Sequence, residues 1–191
     1  MMMPLPHNSP SVSVLPNGWT QVSFTLNLPF TLELGARLRW GEAQLAPWRV
    51  QDAHIDCLCM TAVDNTAQSA IELVHAGQPL PHLDSHQPLL ITGEGLGIAD
   101  ALRATSQLKM LAAHSLVLLS ADQFPCVIKP AKFMVESLPN AIAACPLLED
   151  WGFANRLVHA ELPGCIDSNI DELIQQPAFV SFKLLRFTNN A

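Results

Sequence analysis

The 191-residue sequence predicts a two-part fold: a small antiparallel β-barrel or sandwich, followed by a parallel, doubly wound α/β sheet. Three observations lead there. The first half is a succession of short runs rich in Val, Thr, Leu, Ile, Trp and Phe, separated by turn residues. From residue 88 onward, apolar strand-like runs alternate with helical patterns, which implies a parallel sheet with ligands at the carboxyl ends of its strands. Around 77–88 the chain carries prolines and polar residues without a periodic core pattern, the composition of a linker.

Taken in order, residues 1–10 (MMMPLPHNSP) read as a disordered tail, with no cationic start and no apolar stretch of signal-peptide length. A first domain over 11–80 takes strands at 11–15, 19–28, 32–40, 53–63 and 70–75, punctuated by LPNG, LPF and VDNTAQ. A second over 88–191 takes strands at 88–92, 115–121, 141–145, 156–161 and 179–187, with helices at 98–111, 146–153 and 168–176.

Hydrophobic residues make up 49% and charged residues 14%, and the net charge is −7, so a nucleic acid or an anionic membrane is an unsuitable partner. No apolar run approaches the roughly 18–20 residues of a membrane span, and a cytoplasmic protein is expected. Five cysteines at wide spacings, with no C-x-x-C, indicate neither a disulfide framework nor a zinc site.

The stretch PLLITGEGLGIAD at 88–100 is a strand running through a glycine-rich turn into a helix. Gly93, Gly95 and Gly97 permit close approach of an anion, and the helix start offers unpaired N–H groups. Glu94 and Asp100 flank that place and would repel a pyrophosphate. Asp100 serves equally as a first-turn acid that stabilises the helix. Asp122 closes the second strand, where an acid accepts a ribose hydroxyl and favours NAD over NADP; it also reads as the start of a turn. His54, Asp56 and Leu58 share one strand face and Cys57 and Cys59 the other, which separates them as metal ligands. His82 and His86 read as members of a polar loop. No G-x-S-x-G, H-E-x-x-H or P-loop occurs, so no catalytic residue is nominated.

The order of a short barrel, a Gly77-Gln-Pro-Leu80 linker, LLITGEGLGIADAL and a later GCIDSNIDEL resembles the ferredoxin–NADP reductase superfamily, nearest to electron-transfer subunits of dihydroorotate dehydrogenase. The resemblance implies a reduced FAD-binding-like barrel and an NAD(P)-binding-like α/β domain, passing electrons between NAD(H) and a flavin. It places Gly93, Gly95 and Gly97 at the pyrophosphate and Asp122 at the ribose. The family's Arg-x-Tyr-Ser is replaced here by APWRVQD, in a chain with no tyrosine. Trp48 and Arg49 are then the substitutes for the stacking ring and the phosphate cation, or else an ordinary barrel residue and a surface arginine. With so small a set, FAD or FMN is expected to leave during purification.

The family's C-terminal Cys-Gly-Pro-Pro turn is absent, and so are the closely spaced cysteines of an iron–sulfur cluster. The expected function is an oxidoreductase module working with a nicotinamide nucleotide; the alternative is a non-catalytic scaffold in a binding or regulatory role. Glu94 is expected to weaken NAD binding, so that Glu94→Gly tightens it roughly tenfold. The run FVSFKLLRF, with Phe179, Phe182, Leu184 and Phe187, suggests an edge strand for a homodimer or a partner oxidoreductase subunit, or alternatively a strand buried inside the sheet.

Overall fold

The computed structural model describes residues 3–5, 9–26, 31–63, 70–84, 86–138 and 140–189. Seven strands come first: β1 (Met3–Leu5), β2 (Ser11–Val14), β3 (Thr20–Thr25), β4 (Arg37–Trp40), β5 (Ala43–Gln51), β6 (His54–Cys59) and β7 (Ile71–His75). They form one antiparallel sheet in the order β1-β7-β4-β5-β6-β3-β2. Strands from both halves of that sheet send side chains into a single core, including Val22, Phe24, Leu38, Trp40, Leu45, Ile55 and Ile71, so the sheet curls around it as a barrel. Period-two alternation explains the choice of face: in β6, Ile55, Cys57 and Cys59 point into this core, while Leu58 points out to a second one.

The second unit contains β8 (Leu89–Glu94), α1 (Gly97–Gln107), β9 (Ser115–Ser120), the short β10 (Lys129–Pro130) and β11 (Ala143–Ala144), α2 (Pro146–Asp150), β12 (Ala154–Val158), α3 (Ile170–Ile174) and β13 (Lys183–Phe187). Four of these strands form a parallel sheet in the order β12-β9-β8-β13. Its two central strands, β8 and β9, are apolar on both faces because both are covered. Leu89, Ile91, Val117 and Leu119 meet α1 and the outside of the barrel, whereas Leu90, Leu116 and Leu118 meet α3 through Ile170 and Leu173. Among the described residues no helix is long and apolar enough to cross a membrane.

Several elements depart from the sequence expectations. Within the stretch expected as a disordered tail, Met3–Leu5 pairs antiparallel with β7 as β1. The strand β5 falls between the expected strands 32–40 and 53–63; its Pro47 is accommodated at an irregularity in the pairing with β6. The run 141–145 yields only the two-residue β11, paired with β10 outside the parallel sheet. The segment 179–187 begins with a 3₁₀ turn that buries Phe179, so only its end becomes the edge strand β13. Phe182 is half-buried and packs with Phe179, which leaves Val180 and Leu184 as the exposed large apolar side chains of this run.

Helix α1 lies between the two units. Ala99, Ala101, Leu102 and Ala104 give it high helix propensity, and every residue from Gly97 to Thr105 is buried. Its two charged residues face the barrel. The Gly35 N–H donates to Asp100 Oδ1 at 2.7 Å, and Arg37 Nη1 stands 2.8 Å from Asp100 Oδ2, both side chains being 1% exposed. That second approach is off the hydrogen-bond line, so Oδ2 receives charge without a linear donor. Burial pushes the Asp100 carboxyl up from its ordinary range, against the pull of Arg37, the Gly35 amide and Arg103. Arg103 donates to the carbonyls of Glu33 and Leu32, and Arg37 Nη2 donates to Thr188 O at 3.1 Å.

Removing one partner of such a pair leaves the other charged in an apolar setting. Asp100→Ala is therefore expected to lower stability by about 3–5 kcal/mol, with the double variant Arg37→Met/Asp100→Leu recovering most of the loss. Urea denaturation decides this: a single variant within about 1 kcal/mol of wild type would remove the pair from the account.

Candidate functional site

The carboxyl ends of β8 and β9 and the start of α1 form the glycine turn. Gly95 has φ +54, in the left-handed region, and its N–H donates to Ser120 O at 2.9 Å. Each glycine has a neighbour within this chain. A methyl at Gly93 would lie 2.9 Å from Ala101 Cβ, one at Gly97 would run into the backbone of Phe187, and one at Gly95 into the side chain of Asn189. Asn189 Oδ1 accepts the N–H of Leu96, capping α1 from the far end of the chain. The C-terminal segment thus occupies the space that the sequence pattern assigns to an anion.

The two acids flanking this turn need correction. Asp100 does not face the anion position: it is the buried partner of Arg37. Glu94 is not a bare charge, since Arg186 on β13 donates to Glu94 Oε1 through Nε at 3.0 Å and also bonds Asp171 Oδ1 through Nη1 at 2.5 Å. A paired guanidinium offsets the repulsion on which the Glu94→Gly expectation rests. Asp122 lies exposed just beyond the end of β9.

Trp48 and Arg49 owe their placement to the irregularity in β5. Pro47 pairs with Cys57 and Arg49 with Asp56, so Trp48 is an extra residue in a β-bulge. In a regular strand consecutive side chains point to opposite faces. Here both leave the barrel on its outer side, and the Arg49 guanidinium sits 4.4 Å from the Trp48 ring centroid. Arg49 Nη1 also lies 3.5 Å from Asp56 Oδ2, and Asp56 accepts from Ser23 Oγ at 2.6 Å while His54 Nε2 is 3.1 Å away.

Two cavities meet at Trp48. The first, about 190 Å³, is an apolar slot lined by Trp48, Leu58, Ile98, Leu119, Cys126 and Cys145, so it joins the barrel's outer face to the first turn of α1 and the end of β9. The buried Trp48 Nε1–H has no partner. The second, about 410 Å³, is cationic and aromatic, with Trp48, Arg49, Arg103, Lys109 and Trp151 among its walls. Lys109 Nζ lies 5.0 Å from the Trp151 ring centroid. No carboxylate lines this second cavity among the described residues.

The sequence-predicted residues therefore form two groups, Gly93, Gly95, Gly97 and Asp122 at the strand ends and Trp48 with Arg49 on the barrel, joined through Ile98 across the apolar slot. Lys109, Trp151 and Asn189 carry no local sequence signal and emerge only from the tertiary arrangement. His82 and His86 are exposed, and among the described residues no cluster of three or more His, Cys, Asp or Glu side chains is arranged for a metal.

If close backbone packing is what Gly97 provides, Gly97→Ala will lower stability by about 1–3 kcal/mol or more. Gly18, with φ +80 and open space around its hypothetical methyl, provides the control: alanine there pays backbone strain of about 1–2 kcal/mol only. Thermal melts that rank Gly18→Ala as the more damaging variant would contradict the packing at the turn.

No family model and no curated protein matches this sequence. Solved structures do. The Amycolatopsis cytochrome P450 reductase GcoB aligns with 97% of this chain at 14% identity and a TM-score of 0.62. The ferredoxin reductase in carbazole 1,9a-dioxygenase aligns with 97% at 9% identity and a TM-score of 0.60. This chain spans 61% of the length of each of these two. The flavohem-like FAD/NAD-binding domain of nitric oxide dioxygenase from Vibrio cholerae O1 biovar El Tor aligns with 94% of this chain and 85% of its own length, at 8% identity and a TM-score of 0.57. At such identities the likeness is one of fold alone: an antiparallel barrel followed by an α/β domain with a parallel sheet.

Proposed function

We propose that this protein is a reductase-like electron-transfer module working between NAD(H) and a flavin, with residues 11–80 as the flavin-binding-like unit and 88–191 as the nucleotide-binding-like unit. The observation that carries the reading is the β-bulge, which brings an aromatic face and a guanidinium together where an apolar slot meets a cationic cavity. A flavin needs a stacking partner for its ring, a cation for its phosphate and polar partners for its edge. Trp48 supplies the face and its unpartnered Nε1–H a donor, while Arg49 and Lys109 supply the positive charge. Bound there, a flavin would contribute hydride and single-electron chemistry. The protein's part is to exclude water through the apolar slot and to hold the ring between barrel and sheet.

The nicotinamide nucleotide belongs at the glycine turn, with Gly93, Gly95 and Gly97 near the pyrophosphate and Asp122 near the ribose. In that reading Asn189 must leave the N–H of Leu96 before a phosphate can take its place. The finer relation to dihydroorotate dehydrogenase electron-transfer subunits, a cytoplasmic location, and a homodimer or partner oxidoreductase subunit using the edge strand β13 are part of the same proposal.

Titration with FMN, FAD and NADH, followed by flavin fluorescence and thermal shift, tests it. Arg49→Ala and Trp48→Ala are each expected to weaken flavin binding roughly tenfold. Asn189→Ala is expected to tighten NADH binding by a similar factor while leaving flavin affinity unchanged. Should neither wild type nor Asn189→Ala gain thermal stability from any of these ligands, the proposal fails.

A further inference from the structure

The strand register sets out the outer face of the barrel in rows. One cross-strand row runs Gln21, Leu58, Ala46 and the next Ser23, Asp56, Arg49, each crossing β3, β6 and β5. Leu58 and Ala46 belong to the core shared with the α/β unit, and Leu58 and Gln21 line the apolar slot. Apart from the Trp48 indole, Gln21 is the only side chain bearing nitrogen or oxygen in the wall of that slot among the described residues. An indole N–H only donates. The Gln21 amide is therefore the one strong acceptor that a side chain offers to a molecule held there.

The second row decides which way this amide is turned. Asp56 is 3% exposed, and Ser23 Oγ donates to its Oδ1 at 2.6 Å, the length of a bond from a hydroxyl to a charged carboxylate. His54 Nε2 stands 3.1 Å from the same oxygen, and Arg49 Nη1 stands 3.5 Å from Oδ2. A carboxylate can only accept, so the single hydroxyl hydrogen of Ser23 is committed to Asp56 and its oxygen has only lone pairs left to offer. Gln21 accordingly turns Nε2 toward Ser23 Oγ, to which it donates at 3.2 Å. A flipped amide would set Oε1 against those lone pairs. Its Oε1 accepts from no donor among the described residues.

From this chain of hydrogen bonds we infer that Gln21 is a specificity-determining residue whose Oε1 accepts an N–H from the edge of a ring bound in the slot, with Asp56 as a positioning residue that acts through Ser23. The inference rests on the flavin reading above and names the part of the flavin concerned. In the oxidised ring system N3 carries the only hydrogen available for donation, between two carbonyl oxygens, so N3–H is the partner that Oε1 can take. The same carboxylate faces the guanidinium that covers Trp48. One buried charge thus orients the acceptor for the ring edge and steadies the cation beside the ring.

Binding of FMN and of its N3-methylated analogue to the full-length protein, followed by flavin fluorescence, tests this. The methyl group removes N3–H and leaves the phosphate in place. Wild type is expected to bind the analogue roughly tenfold more weakly than FMN, because Oε1 is desolvated without gaining a donor. Gln21→Leu should weaken FMN by a similar factor and leave the analogue's affinity as it was, so that the two bind alike. Ser23→Ala, which frees the amide to turn, should reduce the preference to about threefold or less, and Ser23→Thr, which keeps the hydroxyl, should restore it. Circular dichroism checks that each variant is folded, and if Gln21→Leu is not, the Ser23 pair decides. Equal affinities in wild type, a preference that survives Gln21→Leu, or one that is unchanged in Ser23→Ala overturns the inference while leaving flavin binding intact. If wild type gives no response to FMN, the flavin reading falls and this inference falls with it.

Discussion

The buried contact between Arg37 and Asp100 constrains everything around it. Two charges removed from water must stay together, and here they belong to the barrel and to the helix covering the sheet. The same guanidinium donates to Thr188 O, beyond the last strand, so barrel, helix and C-terminal segment converge on one side chain. Apolar packing alone would allow α1 to slide along the barrel. The paired charge, the Gly35 amide and the Arg103 hydrogen bonds fix its register, and with it the glycine turn, the apolar slot and the face on which Trp48 emerges.

Much of the architecture was legible because it follows from periodicity. Strands such as Thr20–Thr25 alternate buried and half-buried residues, and Leu89–Glu94 and Ser115–Ser120 are apolar on both faces, as a covered parallel strand must be. The misreadings have physical causes. The strand β5 carries Pro47, and a proline in a strand interior is tolerated only where the ladder is already irregular, a feature with no local signature. Asp100 looked like a helix-start acid or an anion's antagonist because its partner lies 63 positions earlier in the chain, at Arg37. Glu94 looked unpaired for the same reason, with Arg186 contributed by a strand adjacent only in space.

The candidate site shows a similar division. Gly93, Gly95 and Gly97 were recognisable as a turn demanding absent side chains, but the sequence does not say what fills the space they leave. An anion and the chain's own backbone pose the same steric demand, and the second is what the structure contains. Trp48 and Arg49 could be singled out by residue type alone. Their joint orientation depends on one additional residue in a ladder, which converts neighbours that ought to diverge into a stacked pair.

The linker shows how little the covalent connection matters. Its first residues are tied down, with the Gln78 N–H donating to Leu34 O at 2.8 Å, whereas His82, Asp84, His86 and Gln87 lie exposed. A protease reaching that stretch would cut a strap whose two ends remain bound to bodies already joined by a shared apolar core and a buried ion pair. Nicked protein should therefore co-elute as one particle and keep its cavities. The two halves, produced as separate polypeptides, should find each other in solution, behaving as a heterodimer encoded by chance in a single chain.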